Sequence, residues 1–350
     1  LSKKTFLSIL KYVISISVAG FLFWWLYRGE DMEKTFEDIK EASPFWISTS
    51  IGIALFSHWS RASRWVIALR PLGYETRTFT AFLAVMFGYF VNLFVPRLGE
   101  VMRCGLFYRT EKVPINISFG SVLAERALDF IILVALCIVV FFVEFDRIGG
   151  FILSEFNNNS EAVTQKIYIL LAICSLAFLG LIALYLLRNK LMRLPLVIKG
   201  KGFVLGMKDG LLSIKKLSRK QRLAFILHTL NIWAMYYFMS YVLFLSMPAT
   251  SNLSLMTGCT VLIMSGIAMV IPSPGGIGTY HFFVTATLIA YGLEEGIAKN
   301  SALLMHSVQY LATIIIGGLS FLISIFIARK QGENIGHMAE DVVGSVDKVE

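Results

Sequence analysis

Apolar stretches bounded by charged or turn-forming residues recur along this 350-residue chain, at about 5–27, 45–69, 79–95, 118–145, 167–187, 223–246, 254–271, 277–292 and 300–328. Several reach the length of about 20 residues that an α-helix needs to cross a bilayer. None shows the strict alternation of a membrane barrel strand. The pattern predicts an all-α polytopic membrane protein.

Two of these stretches are broken by proline and glycine. The first break reads Val95-Pro96-Arg97-Leu98-Gly99-Glu100, and the second, half a chain later, reads Ile271-Pro272-Ser273-Pro274-Gly275-Gly276. A helix that stops inside a membrane exposes backbone groups that lipid cannot satisfy, so such breaks occur where protein or a watery cavity receives them. Paired breaks in corresponding positions of two halves point to a transporter site.

Charge sets the direction of each crossing. Residues 188–222 carry eleven Lys or Arg against Asp209 alone, whereas 28–43 and 144–166 lean acidic. Basic loops stay in the cytoplasm. The Lys-rich N-terminus (Lys3, Lys4, Lys11) begins inside, and the second span returns to the bases Arg70 and Arg77. A full crossing by 79–95 would carry the basic stretch from Arg97 to Lys112 outside. The conflict disappears if 79–110 enters from the cytoplasm, breaks at Pro96–Gly99 and returns as a re-entrant hairpin. Residues 254–292 read as a second hairpin by analogy. The expected architecture is about six full spans plus two broken re-entrant hairpins, arranged as an inverted repeat.

In domain terms, 1–150 forms a first membrane repeat and 151–330 a second, which includes the basic cytoplasmic connector 188–222. A polar cytoplasmic tail follows at 331–350. Composition agrees: 56% of residues are apolar and 16% charged, with a mean hydropathy of +0.70. The net charge of +9 follows membrane sidedness, and nucleic acid is not an expected partner. Cys104, Cys137, Cys174 and Cys259 lack paired spacing and read as small core residues. No small-residue cleavage site follows Trp24-Trp25-Leu26-Tyr27, so the first span is read as uncleaved. Both termini are then cytoplasmic.

Charges within membrane segments are expensive and mark functional sites. They concentrate around the first break: Arg97, Glu100 and Arg103, then Glu125, Arg126 and Asp129, with Arg61 and Arg64 ending the second span on the same side. These groups suit either ion pairs that lock the hairpin to its neighbours or a guanidinium-lined pocket for a phosphate. At the second break, Ser273, Gly275, Gly276 and Gly278 precede a half-helix starting near Ile277. Their amides suit an anion at a helix N-terminus, or a tight turn alone. His281 and His306 are candidates for a proton-linked step, against a plain packing role. His58 is a further candidate to line the cytoplasmic-side region. The five histidines have no metal spacing, and Gly200-Lys201-Gly202 fits no nucleotide-binding loop. No metal, cofactor or catalytic residue is assigned.

Three motifs occur in order: Pro96-Arg97-Leu98-Gly99-Glu100-Val101-Met102-Arg103, Glu125-Arg126 with Asp129, and Pro272-Ser273-Pro274-Gly275-Gly276-Ile277-Gly278. Together they resemble the flippase-like membrane domain of lysylphosphatidylglycerol synthetases and its free-standing relatives, over residues 5–328. The resemblance implies a multi-pass protein of the bacterial inner membrane that moves a lipid, or a lipid-linked headgroup, between leaflets. Relatives often carry a Glu shortly after the glycine-rich break, where this chain has His281. Only a short tail follows the membrane region, so lysyl-lipid synthesis is not assigned.

The leading expectation is a lipid translocase of secondary-transporter type whose partner is an anionic membrane phospholipid; an oligomer is compatible with it. Arg97, Arg103 and Arg126 would hold phosphate while Glu100, Glu125 and Asp129 orient them. The alternatives are a membrane enzyme acting on a lipid phosphate or polyprenyl-linked sugar, and a scaffold that transports nothing.

Overall fold

A computed structural model describes residues 16–30, 32–144, 216–330 and 332. Within these residues the apolar runs become helices to within about five residues at either end. In chain order these are α1 (Ile16–Tyr27), α2 (Met32–Lys40), α3 (Pro44–Leu69), α4 (Thr78–Phe94), α5 (Leu98–Glu111) and α6 (Ile115–Val143), followed by α7 (Arg219–Phe244), α8 (Leu255–Val270), α9 (Thr279–Ala290) and α10 (Glu295–Lys330). No strand occurs among the described residues. The start of the first span, the span expected at 167–187, the repeat boundary at 150/151, the connector 188–222 as far as residue 215 and the tail 331–350 other than Gly332 lie outside them.

Local chemistry sets the helix ends. Pro44 occupies the first turn of α3, where a missing N–H costs nothing. Ser218 and Gln221 form a reciprocal capping box on α7, and the Ser254 hydroxyl accepts from the Thr257 amide to open α8. The 28–43 segment, read from sequence as a loop, contains α2. Its Glu33 sits in the first turn and Lys40 in the last, matching the helix dipole.

Helices α6, α7 and α10, with 29, 26 and 36 residues, are long and apolar enough to cross a membrane. Helix α3 has 26 residues but carries a polar stripe. That stripe meets α7 along its length. Ser50 Oγ donates to the Met239 carbonyl, Ser57 Oγ to the Ile232 carbonyl, Asn231 Nδ2 to Ser60 Oγ, and Arg64 Nη1 to Thr229 Oγ1. One partner's number falls as the other rises, so the two helices run antiparallel.

The helices flanking the two breaks are short. α4, α5, α8 and α9 hold 17, 14, 16 and 12 residues. At 1.5 Å per residue they reach about 18–26 Å, less than the ~30 Å hydrocarbon core. They fold as two hairpins. The open ends of the first are joined by Arg77 Nε and Thr80 Oγ1, both on Glu111 Oε1, the ion pair at 2.8 Å. The open ends of the second are joined by Thr260 Oγ1 and the Tyr291 hydroxyl at 2.7 Å.

Each hairpin tip is a sequence break. Val95 is extended, as a residue before proline must be, and Arg97 turns the chain at φ 65° to start α5. Gly88 and Gly99 let α4 and α5 touch backbone to backbone: a Cβ on Gly99 would collide with the Gly88 carbonyl oxygen. In the second hairpin a short 3₁₀ turn, Pro274–Gly276, comes between α8 and α9. The half-helix therefore starts at Thr279, two residues beyond the expected Ile277. The two tips meet. Arg97 Nη2 donates to the Val270 carbonyl at 3.2 Å, and the Pro274–Gly276 turn rests on α4.

Candidate functional site

The charged residues around the first break form one connected set between α3, α5, α6 and α7. Arg61 Nη1 pairs with Asp129 Oδ2 at 2.8 Å, and its Nη2 donates to the Tyr236 hydroxyl at 2.9 Å. Arg64 Nη2 reaches Asp129 Oδ1 at 2.9 Å, while its Nε lies 3.5 Å from Glu125 Oε1. Arg103 Nη2 pairs with Glu125 Oε2 at 2.9 Å. Its guanidinium stacks over Trp65 at 4.4 Å, and the Trp65 indole is fixed by the Ser121 hydroxyl. The helical spacing explains the sharing. Glu125 and Asp129 lie one turn apart on α6, and Arg61 and Arg64 lie one turn apart on α3, so each carboxylate meets arginines from across the interface.

Burial divides the set in two. The side chains of Arg61, Arg64, Arg103 and Glu125 are at most 2% exposed. Such charges persist only when closely paired, as these are. Arg126 differs, with 35% of its side chain exposed and its Nε 3.7 Å from Glu100 Oε1. Glu100 also accepts from Asn92 Nδ2 at 3.3 Å, and Asn92 Oδ1 receives the Gly99 amide at 2.7 Å, closing the exposed start of α5.

Arg126, Glu100 and Asn92 line a tight cleft, without room for a water molecule, with Val85, Gly88, Tyr89, Gly99 and Arg103. Tyr89, which the sequence reading passed over, carries the edge of this cleft against the His58 ring at 4.9 Å. Tyr236, also missed, ties Arg61 to α7. Both are ordinary aromatic positions of apolar helices in sequence, and only the fold brings them beside the arginines. Arg97 stands apart, exposed at the hairpin tip.

The Gly276 amide donates to the Ser273 carbonyl, the Ile277 amide to the Pro274 carbonyl and the Gly278 amide to His281 Nδ1. Ser273 Oγ bonds Thr279 Oγ1 at 2.8 Å. These three amides are engaged within the turn, as the tight-turn reading of Ser273, Gly275, Gly276 and Gly278 describes. Glycine is required there on two counts. Gly275, Gly276 and Gly278 all have positive φ, and side chains at Gly275 and Gly278 would strike Tyr310 and the Ala19 carbonyl. His281 and His306 stand over this turn with ring centroids 4.5 Å apart. Among the described residues, no three His, Cys, Asp or Glu side chains converge as a metal site would require.

Residues 9–317 match the family described as the lysylphosphatidylglycerol synthase TM region, and the chain belongs to that family. A UPF0104 membrane protein of Methanocaldococcus jannaschii is 22% identical over 92% of this chain and 95% of its own length. Family and apolar helices together make this a membrane-integral protein.

Proposed function

We propose that this protein is a lipid translocase, moving a phospholipid or lipid-linked headgroup between the leaflets of the bacterial cytoplasmic membrane. The observation that carries this reading is the division within the charged set. Arg61, Arg64, Arg103, Glu125 and Asp129 form a buried frame, and Arg126 lies beside it, partly exposed, at the rim of the tight cleft along the first hairpin. A headgroup phosphate would exchange Glu100 for its own oxygens at Arg126, with Arg97 at the hairpin tip as the next cation along its path.

Topology supports the same reading. The chain would make about six full spans, with α4–α5 and α8–α9 as re-entrant hairpins. Their open ends lie at opposite ends of the antiparallel α3–α7 pair, and their tips meet. That relation is the one two inverted repeats, 1–150 and 151–330, would produce. The end bearing Arg70, Arg77, Arg219, Lys220 and Arg329 would face the cytoplasm together with both termini. Engagement of Glu125 and Asp129 by arginines weighs against the enzymic alternative, since neither is left to act as base or metal ligand.

The test is leaflet exchange of a fluorescent phosphatidylglycerol in proteoliposomes, read by dithionite quenching. Wild-type protein should accelerate exchange, and Arg126→Gln should lower the rate roughly tenfold, the worth of one charge-assisted contact, with thermal stability unchanged. No acceleration across anionic, zwitterionic and polyprenyl lipids would overturn the reading.

A further inference from the structure

Helix α5 begins without a cap of its own. It is preceded by Arg97, whose backbone is left-handed and whose side chain makes no capping bond. The cap comes from α4 instead, because Gly99 has no Cβ and lets Asn92 reach across the hairpin. A backbone amide can only donate, so the Gly99 N–H at 2.7 Å faces the Asn92 oxygen, Oδ1. The nitrogen of the same amide then points to Glu100, and Nδ2 donates to Oε2 at 3.3 Å. Asn92 therefore fixes the start of α5 and the Glu100 carboxylate together.

The second Glu100 oxygen, Oε1, faces Arg126 Nε at 3.7 Å, an ion pair too long for a hydrogen bond. Among the described residues Arg126 Nε is buried without a hydrogen-bond partner. The same holds for Nε of Arg103, whose side chain is 2% exposed. Both arginines line the cleft that Asn92 and Glu100 also line. Charge is unbalanced there as well. Arg61, Arg64, Arg103 and Arg126 meet Glu100, Glu125 and Asp129, four cations against three anions. Two guanidinium donors without acceptors and a surplus positive charge are the makings of an anion site. The carboxylate at its rim is the protein's own, and the cleft is too tight for an anion to enter until Glu100 moves.

We propose that Glu100 is a built-in counter-anion that shuts this site, and that Asn92 is the positioning residue that holds it shut. A lipid phosphate takes the place of the Glu100 carboxylate on Arg126, with Arg103 Nε as a second donor from the cleft wall. Glu100 lies in the first turn of α5 with 20% of its side chain exposed, so it swings outward while Asn92 keeps the helix start capped. The strength of the Glu100 contact then sets how much anionic lipid opens the site. The inference rests on the translocase reading for the identity of that phosphate and for its transport consequence.

The deciding measurement is calorimetric titration of dihexanoyl phosphatidylglycerol into the full chain in detergent. Glu100→Gln keeps an oxygen for Asn92 but removes the competing charge. It should bind the probe roughly tenfold more tightly, the worth of one charge-assisted contact. The double variant Asn92→Asp with Glu100→Gln exchanges the chemistry of the two side chains. The carboxylate now at position 92 accepts both the Gly99 amide and the new amide at position 100. Net charge and both bonds are restored, with the carboxylate drawn back from Arg126. This variant should match wild type in thermal stability and Glu100→Gln in affinity. A merely structural pair predicts wild-type affinity for the double variant, and that result would overturn the proposal. So would wild-type affinity in Glu100→Gln, or a gain that survives the addition of Arg126→Gln. In proteoliposomes the half-saturating phosphatidylglycerol fraction should fall in step with the calorimetric constant. Tighter binding in both variants with no leaflet exchange in any protein would support the counter-anion and count against the translocase reading.

Discussion

Arg97 Nη2 donates to the Val270 carbonyl, joining the tip of the first hairpin to the last turn of α8 across half the chain. The Arg97 backbone is held at φ 65°, a conformation that costs an L-residue about 1–2 kcal/mol. A strained backbone at a functional tip is a recurrent arrangement.

Arg97→Gly separates backbone from side chain. Glycine adopts the turn freely, so the melting temperature of the purified protein should hold or rise. Leaflet exchange should fall severalfold, because the bridge and the cation are lost. Arg97→Ala retains the strain and should lower both. Normal exchange in the glycine variant would remove Arg97 from the transport path.

Arg103→Ala should destabilise more than any exposed substitution. It strips Glu125 of its 2.9 Å partner and Trp65 of a stacked cation inside a buried frame. Removing one member of a buried pair costs about 3–5 kcal/mol. Adding Glu125→Gln should recover part of that loss, which denaturation in detergent can measure. A single variant as stable as wild type would mean that Arg64, 3.5 Å away, suffices to hold the Glu125 charge.

Gly99→Ala tests the close approach within the first hairpin. The added methyl meets the Gly88 carbonyl oxygen, part of the α4 backbone, and the Asn92 side chain, held by the Gly99 amide. The expected result is little monodisperse protein on size-exclusion chromatography. Gly52→Ala, where a Cβ meets open space, is the control and should behave as wild type.

Thiol labelling tests the opposed hairpins. In a background lacking the four native cysteines, Glu111→Cys and Tyr291→Cys mark the open ends of the first and second hairpin. A membrane-impermeant maleimide added to intact cells should label Tyr291→Cys and spare Glu111→Cys. Labelling of both from one side would rule out opposed re-entrant hairpins.

Much of this fold was legible because membrane helices announce themselves. Apolar run and proline position alone place α3, α4, α6, α8 and α10 to within a few residues, the start of α10 at Glu295 being the widest departure. The amphipathic α2 escaped because its acids read as a loop. The charged cluster was legible as a list, but not its division of labour. Arg103 and Arg126 look equivalent in sequence, and only the neighbours that α3 and α6 supply make one a frame member and the other a partly exposed cation. At the glycine turn the sequence left an anion site and a tight turn equally open. The fold joins three of its amides to Ser273, Pro274 and His281, partners that spacing alone does not reveal.

The ladder between α3 and α7 has a mechanical consequence. Its serine donors are tied to main-chain carbonyls at Met239 and Ile232, and Arg64 is tied to Thr229 at the same seam. A one-residue slide would break these bonds together, leaving hydroxyls and a guanidinium stranded where water is scarce. A small rotation about the shared axis keeps most of them. The seam therefore resists sliding of α7 along α3.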